Sequence, residues 1–216
     1  MANALLEVKN LSRRYDEYEA VKAVDFELRS GDLIALVGPN GSGKSTLLTC
    51  LSGMQRPTTG EVRVEGYDLY ENEREVRRRL AYVPDVPQFY TELTAWEHIT
   101  WMAAAHHVDG GVENRAETLL REFGLWDARD LFPHAYSRGM RLKLGIVLAL
   151  IRPFSVLLLD EPSSALDPES TTLLGERLRE LTRANVAVIL TTHNLQFSEQ
   201  LAARVWTMRD GCLSTQ

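Results

Sequence analysis

The run Leu33-Ile34-Ala35-Leu36-Val37-Gly38-Pro39-Asn40-Gly41-Ser42-Gly43-Lys44-Ser45-Thr46, continued by Leu47-Leu48-Thr49-Cys50-Leu51, carries most of the topological information in this chain. Five apolar residues read as a buried strand, the apolar residues after Thr46 read as a helix, and between them stands G-x-x-x-x-G-K-S in the context it requires. The glycines let successive backbone N–H groups turn inward without a Cβ clash, and the new helix adds its positive end. The loop is therefore suited to cradle a polyphosphate. Lys44 is expected to pair with the β and γ phosphates, and the Ser45 hydroxyl to ligate Mg²⁺.

A phosphate loop needs a second acidic element for its metal, and Val156-Leu157-Leu158-Leu159-Asp160-Glu161 supplies one at the end of a buried strand. Asp160 is the candidate metal ligand. Glu161, followed by Pro162, is the candidate to orient or deprotonate an attacking water. A further apolar strand, Val186 to Leu190, runs into Thr191-Thr192-His193. Ligands in parallel sheets bind beyond the carboxyl ends of the strands, so His193 is expected to point at the γ phosphate. In Tyr136-Ser137-Arg138-Gly139-Met140-Arg141, Ser137 reads as the N-cap of an apolar helix, a second helix start suited to an anion. The economical reading is that this second site serves the nucleotide of a neighbouring chain.

The remaining sequence fits an ordinary globular protein. It has 216 residues, 44% hydrophobic and 25% charged, and a net charge of −6, which argues against holding duplex nucleic acid by phosphate neutralisation. Cys50 and Cys212 form no metal or disulfide pattern. No secretory signal is visible and no apolar run approaches the roughly 20 residues of a spanning helix, so a cytosolic location is expected. Short strands fill the first third, residues 94 to 150 are mostly helical in period, and Pro84 and Pro87 mark an edge between them. The continuous apolar strands Val156 to Leu159 and Val186 to Leu190 flank a helical segment from Glu169 to Arg183, the pattern of a parallel sheet covered on both faces. The arginines from Arg74 to Arg79 lie among Glu71, Glu73 and Glu75 and read as a solvated helix face. His98, His106 and His107 lack the companions of a metal site.

These motifs resemble the nucleotide-binding subunit of an ATP-binding cassette (ABC) transporter over essentially the whole chain. Gly38 to Thr46 resembles the Walker A loop, Val156 to Glu161 the Walker B strand, and Ser164-Ala165-Leu166-Asp167 the D-loop. His193 resembles the switch histidine, and Tyr15 the aromatic residue that stacks on adenine. Such stacking is worth about 1 to 3 kcal/mol. The resemblance implies an α/β fold: a P-loop NTPase core with a mostly parallel sheet flanked by helices, an N-terminal antiparallel β subdomain and an inserted α-helical subdomain. It implies one ABC ATPase domain over 1–216, with 1–85 and 151–216 as nucleotide-binding core and 86–150 as helical subdomain.

Two motifs depart from the family pattern. The signature Leu-Ser-Gly-Gly-Gln appears as Tyr136-Ser137-Arg138-Gly139-Met140, which keeps Ser137 and Gly139 as implied γ-phosphate contacts. The Gln expected after Tyr82-Val83-Pro84 is Asp85, a carboxylate able to ligate Mg²⁺ or hold water. Both departures resemble a branch of mainly bacterial export-type subunits. The resemblance further implies ATP and Mg²⁺ as ligands and a head-to-tail dimer with an identical or different cassette, Ser137 and Gly139 of each completing the other's site. It implies no nucleic-acid partner, and attachment to the cytoplasmic face of the cell membrane through a separate permease, with Phe89 to Thr94 as contact patch. The alternatives are a non-transport ABC ATPase acting on ribosomes or DNA and, more distantly, a phosphate-loop kinase.

Overall fold

The computed structural model describes residues 4–215. In chain order the strands are β1 (Ala4–Tyr15), β2 (Tyr18–Arg29), β3 (Leu33–Val37), β4 (Thr59–Val64), β5 (Tyr67–Asp68), β6 (Leu80–Val83), β7 (Val156–Leu159), β8 (Ala187–Thr191), β9 (Arg204–Arg209) and β10 (Cys212–Ser214). The helices are α1 (Lys44–Leu51), α2 (Glu73–Arg79), α3 (Ala95–Ala105), α4 (Val112–Glu122), α5 (Arg138–Leu150), α6 (Pro168–Arg183) and α7 (Leu195–Gln200). The chain forms two compact units. Among the described residues, one holds 4–82, Phe154–Glu161 and 175–215; the other holds Val83–Pro153 with Pro162–Leu174.

The first unit is built on two sheets. A four-stranded sheet in the order β2-β1-β4-β5 is antiparallel, and alternation in β2 puts Val24, Phe26 and Leu28 inside while Asp25 and Glu27 face out. A six-stranded sheet runs β10-β9-β3-β8-β7-β6, with β3 parallel to β8 and β9, and β7 parallel to β8. All residues of β7 and β8 are buried, which explains why these strands are apolar without alternation. The register pairs Leu36 with Thr191 and Leu159 with Leu190, so β3, β8 and β7 end side by side. The segments leaving these strands are the phosphate loop, Thr192-His193 and Asp160-Glu161. Phe26 packs edge-on against Trp206 of β9 at 5.0 Å, joining the sheets through one apolar core.

The second unit is helical. Thr94 and Glu97 start α3 as a reciprocal capping box. His98 uses both ring nitrogens locally: Nε2 accepts from the Tyr90 N–H at 3.0 Å and Nδ1 lies 2.7 Å from the Thr94 carbonyl oxygen. It is a core histidine. Among the described residues, no group of three or more His, Cys, Asp or Glu is placed to hold a metal by itself, and no helix is long and apolar enough to cross a membrane. In the first unit the arginine run of α2 bonds along its own helix, Arg77 to Glu73 and Arg79 to Glu75, as its spacing predicts.

Candidate functional site

The phosphate loop leaves β3 at Gly38 and becomes helix at Lys44. Gly43 has φ of +105°, and a Cβ there would lie 2.2 Å from the Ala20 carbonyl oxygen, so no side chain fits the turn. The first α1 bond runs from Leu47 N–H to Gly43 O, leaving the earlier N–H groups directed out of the helix start. Lys44 is buried, and its Nζ donates to the carbonyl oxygens of Gly38 (2.8 Å) and Pro39 (3.1 Å). The Ser42 hydroxyl is buried without a hydrogen-bond partner among the described residues. A buried polar atom is rarely left so, and a phosphate oxygen would satisfy it. Asn40 and Gly41 form the exposed tip, and Tyr18 Oη donates to Gly41 O at 3.0 Å.

Beyond β7, Asp160 is 5% exposed, and its Oδ1 accepts from Ser45 Oγ at 3.1 Å and Thr191 Oγ1 at 2.6 Å. The Thr191 hydroxyl also accepts the Glu161 N–H at 2.8 Å. One buried hydroxyl thus ties both acids to β8. Thr191 received no role from its sequence, although a hydroxyl closing the apolar run Val188-Ile189-Leu190 is the signal that could have found it. Glu161 takes φ of +48°, a left-handed conformation costing a non-glycine residue about 1 to 3 kcal/mol. Its Oε2 lies 2.8 Å from His193 Nδ1 and accepts from the His193 N–H at 3.3 Å. With Nδ1 donating to a carboxylate, the mostly exposed ring presents Nε2 outward.

Tyr15 ends β1, in the same unit. Its Oη donates to Gln55 Oε1 at 2.5 Å, and the Arg13 guanidinium lies 4.5 Å from the centre of its ring.

Ser137, Gly139 and Asp85 belong to the second unit. Ser137 caps α5, its Oγ accepting the Met140 N–H at 3.2 Å. A Cβ on Gly139 would lie 2.6 Å from the Ala165 carbonyl oxygen, so close packing against the segment after β7 is itself a reason for glycine there. Asp85 Oδ1 accepts from Arg138 Nη2 at 2.9 Å and Ser164 Oγ at 2.7 Å. Lys143 and Asp167 form a 2.6 Å ion pair, and Asp167 also accepts from Ser170 N–H and Oγ at 2.9 Å each. Together these donors hold the Asp167 carboxyl well below the usual carboxylate range, Lys143 first among them.

Comparison with known proteins identifies the family. The family model described as ABC transporter matches residues 21–164. The chain belongs to the ABC transporter family. The SkfA peptide export ATP-binding protein SkfE of Bacillus subtilis (strain 168) is 33% identical over 210 residues, covering 97% of this chain and 87% of that protein. The ABC transporter ATP-binding protein YxlF of the same organism is 35% identical over 215 residues, covering 97% and 70%. A solved structure of an ATP-binding subunit of an ABC transporter superposes with a TM-score of 0.90 at 34% identity, covering 98% and 90%. This chain is accordingly an ATP-binding and ATP-hydrolysing subunit of an ABC transporter, on the expected α/β P-loop fold. The family match ends at residue 164, so it takes in the Walker A loop, Walker B strand and signature segment but neither Tyr15 nor His193.

Proposed function

We propose that this cassette uses MgATP to drive export through a separate permease. The observation that carries the reading is the pair of contacts Ser45–Asp160 and Glu161–His193 on adjacent strand ends beside the phosphate loop. Loop N–H groups and Lys44 bind the β and γ phosphates, the Ser42 hydroxyl gains its missing partner there, and Tyr15 stacks on adenine. A hydroxyl and a carboxylate already in contact are hard oxygen donors that fit Mg²⁺, so Ser45 and Asp160 would hold it, and the ion supplies positive charge to the phosphates. Glu161 orients the attacking water and takes its proton, while His193 holds the carboxylate in place.

Ser137 and Gly139 then meet the ATP of a second cassette, which is either identical or different. ATP bridging two such surfaces favours a closed pair, and hydrolysis removes the bridge. The cassette would sit on the cytoplasmic face of the membrane through its permease, with no nucleic acid involved. Export is supported by SkfE, a relative named for peptide export, and by the two motif departures.

Glu161→Gln is the direct test. It should lower kcat by about 10² to 10⁴-fold while ATP still binds, and should sediment as a dimer with ATP. Full turnover in this variant, or a strictly monomeric profile with ATP, contradicts the reading. In vesicles with the cassette face outward, ATP-dependent uptake of the substrate signals export. Recovery of ribosomes or DNA in place of a polytopic protein from native membrane would favour the non-transport alternative.

A further inference from the structure

The two motif departures, at Asp85 and Arg138, meet in space. Arg138 Nη2 donates to both carboxylate oxygens of Asp85, at 2.9 and 3.1 Å, and lies 3.3 Å from Ser164 Oγ. Ser164 donates in turn to Asp85 at 2.7 Å, closing a three-membered cluster from segments 53, 26 and 79 positions apart. Arg138 is the first residue of α5, whose first turn carries two arginines and no acid. A cation at that end opposes the helix dipole, and a carboxylate there is favoured. Asp85 supplies that negative charge from another segment. A glycine and a glutamine at these positions, the family pattern, would need no such compensation.

The geometry points to Arg138 and Asp85 as a matched pair of positioning residues. Each replaces a neutral family residue, and each is tolerated because the other neutralises it. Together they clamp the start of α5, where Ser137 and Gly139 lie, to Ser164 of the D-loop. Lys143–Asp167 fastens the same helix to the same segment one turn further on. Asp85 therefore serves as the counter-ion of Arg138, not as the Mg²⁺ ligand its position in sequence suggested. This rests on Ser137 and Gly139 acting as nucleotide contacts.

The test is a double-mutant cycle towards the family residues. Asp85→Gln alone leaves an unneutralised guanidinium at the helix start, and Arg138→Gly alone leaves a carboxylate bonded only to Ser164. Each should lower kcat about tenfold, with half-saturating ATP changed less than about twofold, and Asp85→Gln/Arg138→Gly should return to within about threefold of wild type. Arg138→Lys, which keeps the charge, should retain most activity. The melting temperature without nucleotide or metal should show the same sign of coupling. Single losses that simply multiply in kcat overturn the pair, whatever the melting temperatures do. An Asp85→Asn protein whose half-saturating Mg²⁺ rises about tenfold or more also overturns it, since that marks a metal ligand. An inactive wild type would instead overturn the hydrolytic reading, so the two failures are distinguishable.

Discussion

The Thr191 hydroxyl is fully buried and bonded on both sides, accepting from the Glu161 N–H and donating to Asp160. Valine has nearly the same shape and no hydroxyl, so Thr191→Val would leave the Glu161 N–H without its partner and Asp160 with Ser45 alone. Unmet buried polar groups cost about 1 to 3 kcal/mol. Urea unfolding should show that loss, and steady-state assays should show kcat reduced about tenfold or more, because a 1 Å shift of a positioned group can cost 10²-fold. Thr191→Ser restores the hydroxyl and should recover both properties. Equal kcat for Thr191→Val and wild type would mean that the Walker B acids are positioned by their own strand. Lys44, Ser45, Asp160, Glu161 and His193 were legible in the sequence as candidates because each sits in or beside a local pattern. Thr191 was not, since its importance lies in two bonds that span 30 and 31 positions.

Among the elements, α5 and α6 are joined through Asp167, which sits before Pro168, binds Lys143 of α5 and accepts from Ser170 in the first turn of α6. Its folded pKa is depressed, so its contribution to stability is complete above the unfolded value near 3.9 and is lost as pH falls through the folded value. Asp167→Asn should thus unfold at lower temperature than wild type at pH 7, with the gap narrowing as pH falls below about 4. A gap that stays constant from pH 7 to pH 3 would contradict the charge-based account. The side chain is about half exposed, so solvent screening limits the effect. The helical segment read from Glu169 to Arg183 comes within one residue of α6 at each end, because amphipathic spacing is local. The sequence reading had no place for β9 or β10. Trp206 and Met208 alternate inward along β9, but the run is short and begins and ends in arginine, so the period-two signal is weak without the neighbouring β3.

At the level of the whole molecule, the two cysteines report on folding. Cys50 is buried in α1 and burial pushes its thiol up to about 11, whereas Cys212 is exposed. A thiol reagent at neutral pH should modify one cysteine quickly in the native protein and the second only on unfolding. Saturating ATP binds the native state, so at a hundred times its Kd it should slow Cys50 labelling about 100-fold, equivalent to about 2.7 kcal/mol. Fast labelling of both cysteines in native protein would contradict the packing around α1. The chemistry of nucleotide binding was already written in the linear order of residues, since strand, glycine loop and helix follow one another directly and the paired acids close an apolar run. Tertiary structure was needed to bring Asp85, Arg138 and Ser164 into one cluster and to set Thr191 between Asp160 and Glu161. Those contacts depend on side-chain direction across distant segments, which packing settles and local sequence patterns do not encode.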